Sequence, residues 1–266
     1  FQKIVFEEKA ERHAKGFRCW DQFVAMLFCH IAQADSLREI CNGLRSCTGK
    51  LVHIGVKNAP KRSTLAYANE HRSASLYERL FYQTFDRFRS EGKLGFRKKK
   101  FRFKNKLLSL DSTTISLCLS LFPWAKFRRA KGGVKLHVLL DHDHYMPQFV
   151  AIGEASRHDS TIAKSLTINK GSIVVMDRAY CDSVLFSKWI DKGIYFVTRL
   201  KSNVLYQTIE VNRPPSTGKI LSDELIKLTG QKARKQCPYI LRRIVVWDEE
   251  KNRPITLLTN HLSFGA

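Results

Sequence analysis

Asp111 closes the run Leu107-Leu108-Ser109-Leu110-Asp111, and Asp177 closes the run Ser172-Ile173-Val174-Val175-Met176-Asp177. Both runs are short and apolar and read as buried strands. A carboxylate at the C-terminal end of such a strand is exposed while rigid backbone fixes its position, and two of them can share a divalent cation. The chain around them has a formal net charge of +22, from 46 Lys and Arg against 24 Asp and Glu. Paired carboxylates in so cationic a protein point to metal-assisted chemistry on a polyphosphate backbone.

The neighbouring residues offer further chemistry. Arg178 and Tyr180 follow the second aspartate, where they could contact a phosphate and stack on a base, or simply pack at the strand–helix turn. Lys131, Lys135 and His137 could line a DNA channel or form a solvated strand face. Asp141, His142, Asp143 and His144 are of metal-ligand type. Alternating polar residues ahead of Tyr145-Met146-Pro147 nevertheless read better as a polar hairpin turn. His158-Asp159 reads as the cap of the helix that follows, and Trp124 after Pro123 as a packing residue.

Composition limits the class of protein that presents these residues. A length of 266 with 44% hydrophobic residues is ample for a globular core and argues against disorder. No apolar stretch is long enough to cross a bilayer; the longest window, Phe23 to Ile31, is broken by Cys29-His30. The seven cysteines are scattered and form no C-x-x-C pair, which argues against a zinc site or a disulfide framework and fits a reducing cytoplasm. The chain opens on Phe1 and stops at Ser263-Phe264-Gly265-Ala266, and both ends read as cut.

The elements that must position the aspartates follow from periodicity. Residues 1–105 read as helical. Trp20, Phe23, Val24, Leu27, Phe28 and Ile31 share one helical face, and Ser36-x-x-Glu39 is a capping box for a second helix, with Gly43 and Gly49 marking its fraying end and the loop beyond. A third helix starts at Pro60-Lys61-Arg62-Ser63-Thr64 and runs to Gly92. Its basic start, with Arg62 a candidate DNA contact, suits a helical DNA-binding module; a bundle with a solvated basic face is the alternative. The run from Arg97 to Lys106 alternates cations with Phe101 and Phe103, as an extended segment or a solvated linker would.

From Leu107 the pattern turns to short strands, then to alternating helix and strand, which reads as a mixed α/β sheet. Strands are expected at 107–111, 114–121, 134–141, 148–153, 173–177 and 194–200, with helices near 158–166 and 183–191. Beyond Lys201 the pattern is less regular and ends in a hairpin around Glu249-Glu250-Lys251-Asn252.

This ordering resembles the DDE transposases, specifically their insertion-sequence-four (IS4-like) family. The matching residues are Leu110-Asp111-Ser112-Thr113-Thr114 and Val175-Met176-Asp177-Arg178-Ala179-Tyr180. Between them, the stretches Phe122 to Arg129 and Lys131 to His137 also look like that family. The resemblance implies an RNase H-like core at 106–200, a helical N-terminal DNA-binding domain at 1–105 and a strand-rich insertion at 201–266. It implies a DNA transposase that cuts and joins strands at element ends, with two Mg ions held by Asp111, Asp177 and a glutamate. That glutamate belongs to a Tyr-x-x-Arg-x-x-x-Glu pattern which Glu210, Glu224, Glu249 and Glu250 do not match, so it is expected beyond Ala266, leaving residues 1–266 inactive. Implied partners are double-stranded DNA and a second copy of the chain, in the bacterial cytoplasm. A DNA-binding remnant and a Mg-dependent nuclease are the competing readings.

Overall fold

The computed structural model describes all residues except 13, 48, 91–102, 118–125, 129–130, 155–158, 215–217 and 264–266, and gives only the backbone of residues 89, 116–117, 126–128, 131–132 and 154. The basic stretch 97–102, Pro123, Trp124, His158 and the Lys131 side chain thus lie outside the described residues. The chain forms two compact units, Phe1–Leu94 and Gly95–Ala266.

The first unit contains helices α1 (Gln2–Glu7), α2 (Cys19–Ile31), α3 (Leu37–Ser46), α4 (Arg62–His71) and α5 (Ser75–Ser90), with a 3₁₀ turn at Leu51–Ile54. The Ser36 cap forms at α3, but the returning bond of the expected capping box goes to the residue before the cap. Ser36 Oγ accepts from the Glu39 N–H at 3.2 Å, and the Glu39 carboxylate accepts from the Asp35 N–H at 2.9 Å. Gly43 does not fray this helix. It lies inside α3 because the Phe28 ring packs on it: a Cβ there would sit 2.6 Å from Phe28 Cζ. The apolar face of α2 is narrower than its spacing implies, with Val24 and Ala25 buried but Leu27 and Ile31 exposed.

The expected third helix is two. Arg72 breaks it with extended backbone (ψ 140°). Its guanidinium donates to the Phe17 carbonyl, to the Arg18 carbonyl at 2.9 Å and to Gln22 Oε1 at 3.0 Å, which holds the break against the start of α2. Leu76 at the start of α5 then packs with Ile4, Val5 and Cys19 in a small second core.

The second unit is built on one ten-stranded mixed sheet. Its strands are β1 (Leu107–Leu117), β2 (Lys126–Arg128), β3 (Lys131–Asp141), β4 (Met146–Glu154), β5 (Ile173–Met176), β6 (Tyr195–Arg199), β7 (Tyr206–Asn212), β8 (Ile220–Leu228), β9 (Leu241–Asp248) and β10 (Arg253–Thr259). β3 lies antiparallel between β1 and β4, whereas β5 and β6 run parallel to β1, giving the order β4-β3-β1-β5-β6. This is the mixed sheet expected of an RNase H-like core. The meander β7 to β10 extends the same sheet, joined through β10 against β6. Helices α6 (Asp159–Ser165), α7 (Ser183–Asp191) and α8 (Gln231–Gln236) complete the unit.

Its core joins Leu108 and Leu110 of β1, Leu139 of β3, and Val174 and Met176 of β5 to Leu185, Phe186 and Trp189 of α7. The Phe186 and Phe196 rings stack with centroids 4.4 Å apart. Three expectations are corrected here. The two strands expected at 107–111 and 114–121 are one continuous β1, because Ser112, Thr113 and Thr114 pair with His137, Leu136 and Lys135 of β3. Residues 201–239 are not irregular but hold β7, β8 and α8. Asp111 is therefore inside a strand; the strand that ends beside it is β5.

Candidate active site

The β1–β5 register runs from Leu107 opposite Ile173 to Leu110 opposite Met176. Asp111 and Asp177 are the next residue on each strand. Side chains alternate along strands, and adjacent strands lie about 4.8 Å apart. Leu108, Leu110, Val174 and Met176 take the buried positions, and Asp111, Val175 and Asp177 the exposed ones. Two period-two patterns in parallel register thus bring both carboxylates to one face, at the point where the strands part.

Backbone amides orient them. Asp111 Oδ1 accepts from the Ser112 N–H at 2.7 Å. Asp177 Oδ1 accepts from the Ala179 N–H at 2.8 Å, capping the 3₁₀ turn Arg178–Tyr180. The second oxygen of each has no protein partner among the described residues. Hard, exposed oxygens fixed by backbone suit a hard divalent ion, although two are fewer than such an ion's usual six. Among the described residues no three His, Cys, Asp or Glu side chains gather as a metal site.

Beneath the pair, on the opposite face of β1, lies a buried polar chain. Ser112 faces His137 across the β1–β3 ladder. The Tyr180 hydroxyl bonds the Ser112 side chain and lies 3.0 Å from His137 Nδ1. His137 Nε2 is 3.9 Å from Asp159 Oδ1, which accepts from Lys135 Nζ at 2.7 Å. Burial pushes the Tyr180 phenol up to about 12, Ser112 opposes this, and Asp159, Asp111 and Asp177 add to it. Burial likewise lowers the His137 pKa, with Asp159 opposing and Lys135 assisting. Burial and Lys135 both favour the neutral imidazole of His137. In the tautomer that accepts from Tyr180 at Nδ1, the ring hydrogen is on Nε2, toward Asp159.

These placements sort the sequence candidates. Asp111 and Asp177 come together, with Arg178 exposed beside them. Tyr180 and His137 are 0% and 1% exposed, so neither can stack on a base or line a channel; both serve the floor beneath the aspartates. Lys135 is half-buried and engaged by Asp159 rather than presented as a free cation. Asp159 was legible only as a cap, yet its carboxylate turns to Lys135; a pairing across 24 residues leaves no local signal. Arg62 is exposed at the first residue of α4, in the other unit.

The 141–144 cluster forms the polar β3–β4 turn. Burial opposes ionisation of Asp141, but the Asp143 N–H, Lys106 and His144 outweigh it and hold the carboxyl below its usual value. Of the glutamates, Glu224 on β8 pairs with Arg243 at 2.9 Å, Glu249 pairs with Lys219, and Glu210 is exposed on the outermost strand β7. β8 lies four strands from β5 in the sheet.

Known proteins share this arrangement of sequence. Residues 1–57 match a family described as a domain of unknown function (DUF4372), and residues 102–260 match the transposase DDE domain. A probable transposase for insertion sequence element IS5377 of Geobacillus stearothermophilus is 32% identical over 165 residues, covering 61% of this chain and 43% of the relative. A putative transposase, y4zB, of Sinorhizobium fredii is 29% identical over 205 residues, covering 76% of this chain and 55% of the relative. The chain thus spans about half the length of the curated relatives it matches. The NurA nuclease from Sulfolobus solfataricus superposes with a TM-score of 0.31 at 10% identity, over 70% of this chain and 80% of that one, too loosely to define a shared fold. With its aspartates on the two strands that the larger match encloses, and with that match spanning more than half of its length, the chain belongs to the transposase DDE domain family.

Proposed function

We propose that this chain is the DNA-binding and partial catalytic region of an insertion-sequence transposase of the IS4-like group. In this reading the protein cuts and joins DNA strands at element ends by metal-assisted phosphoryl transfer. The single observation that carries it is the parallel register that sets Asp111 beside Asp177 on an exposed face. A protein of net charge +22 around that face supplies the attraction for a DNA substrate.

Asp111 and Asp177 would hold Mg²⁺, two ions in the complete site, through the oxygens that the backbone amides leave open. A bound ion supplies Lewis acidity there, activating a water or a DNA 3′-hydroxyl and stabilising the leaving oxygen. The Ser112 and Ala179 amides fix the carboxylate directions before substrate arrives, and Arg178 offers a guanidinium to a phosphate alongside. The third carboxylate comes from sequence outside residues 1–266. In support, the glutamates of the meander are paired or remote from β5, and the chain spans about half of its relatives' length.

Residues 1–105 act as a DNA-binding domain with Arg62 as one contact, 106–200 as the catalytic core and 201–266 as the insertion. Lys131 contributes to the DNA path, and two copies act together on paired ends in the bacterial cytoplasm, at the nucleoid.

The test uses the complete protein and a DNA duplex carrying the element end. Asp111→Ala and Asp177→Ala each abolish strand cleavage and keep DNA affinity within about threefold of wild type. Cleavage by either variant overturns the assignment, and cleavage without strand joining makes the protein a nuclease.

A further inference from the structure

The amides that orient the two aspartates belong to Ser112 and Ala179. The side chain of Ser112 is bonded by Tyr180, the residue directly after Ala179. One buried ring therefore ties the segment that aims Asp111 to the turn that aims Asp177. Tyr180 is in turn held by His137, and His137 faces the Lys135–Asp159 ion pair.

Stability alone does not call for this chain of polar groups. Tyr180 is fully buried in the apolar cluster of the second unit and His137 is buried against it, and replacing buried polar or ionic groups by well-packed apolar ones is often neutral or stabilising. What a satisfied polar network adds is a single geometry. Here that geometry is the spacing of the two residues that carry the open carboxylate oxygens. Outer partners of this kind orient the ligands of metal sites, and their loss typically lowers metal affinity by about 10- to 100-fold.

We propose that Tyr180 is a positioning residue for a divalent-cation site formed by Asp111 and Asp177, acting through Ser112 and braced by His137 and the Lys135–Asp159 pair. The inference rests on the metal-site reading above and goes beyond it by naming what sets the distance between the ligands. Tyr180 touches neither ion nor substrate.

The test is a Mn²⁺ titration of residues 1–266, followed by electron paramagnetic resonance, beside a thermal melt of each variant. Tyr180→Phe keeps the buried ring and removes the hydroxyl. Ser112→Ala removes the other end of the same bond from a half-buried strand position and leaves the core intact. Both are expected to raise the Mn²⁺ dissociation constant about tenfold while keeping a cooperative melt. A lower melting temperature with wild-type Mn²⁺ affinity in both overturns the inference, because packing alone would produce that pattern. Asp111→Ala and Asp177→Ala distinguish the two claims. If they lose Mn²⁺ and the Tyr180 and Ser112 variants keep it, only the positioning role fails; if they too keep it, the metal site itself fails and takes the inference with it.

Discussion

Replacing Arg242 by alanine tests what holds the strands of the meander together. Arg242 on β9 grips Asp223 on β8 with two parallel hydrogen bonds: Nε donates to Oδ1 at 2.8 Å, and Nη2 donates to Oδ2 at 2.5 Å. The side chains are 6% and 3% exposed, and Asn212 of β7 adds a donor to Asp223 at 3.2 Å. Arg242→Ala removes both strong bonds and leaves a buried carboxylate with the Asn212 amide. Breaking a buried pair from one side costs roughly 3–5 kcal/mol. Leu221, two residues before Asp223 on β8, is 53% exposed. Water can relax into that site, which argues for the lower end, about 3 kcal/mol.

For a unit of this size each kcal/mol moves the melting temperature by about 2–4 °C, so a drop of about 6–12 °C is expected in a calorimetric scan. Asp223→Leu combined with Arg242→Met removes both charges together and should recover most of that loss. A drop of less than about 2 °C in Arg242→Ala, or a double variant as unstable as the single one, refutes the reasoning.

Acid should weaken the protein in two stages. Burial lowers the pKa of His137 and His261 from 6.5, so the unfolded chain binds more protons and stability falls as pH drops below about 6.5. Asp141, Asp182 and Asp223 are lowered from 3.8; the stability they supply is present above that value and is lost as pH falls through their folded values. Urea midpoints measured from pH 8 to pH 3 should show both steps, and a flat profile down to pH 4 contradicts the first. Gly43→Ala should destabilise the helical unit by up to about 2 kcal/mol, because overpacking against Phe28, about 1–3 kcal/mol, outweighs a helix-propensity gain of about 1 kcal/mol. Urea denaturation checks the sign, and a stabilised variant contradicts the packing described.

What the sequence made legible was local. The Ser36 cap and the strand leading into Asp177 rest on neighbours within a few residues, and both recur in the structure. Failures came where distant partners decide the outcome. Gly43 reads as a helix end until Phe28 is known to fill its open side. Arg72 splits a helix because carbonyls more than 50 positions away accept its guanidinium.

β8 hid because a bulge between Ile220 and Ser222 shifts its alternation, and because a buried charge, Asp223, stands where a strand pattern calls for an apolar residue. β7 hid because the residues along it are almost all exposed, so neither face shows a buried stripe. Tyr180 and His137 were visible as chemistry and misplaced. Their types fit a DNA surface as well as a buried floor, and only burial separates the two.

The central claim is that Asp111 and Asp177 form one metal site. Fe²⁺ bound in place of Mg²⁺ generates hydroxyl radicals with peroxide and cuts the nearby backbone. Residues 1–266 should be cleaved close to both Asp111 and Asp177, and excess Mg²⁺ or either Asp→Ala substitution should suppress both cuts together. Cuts at only one of the two positions, or cuts that persist at both in Asp111→Ala, would contradict a shared site.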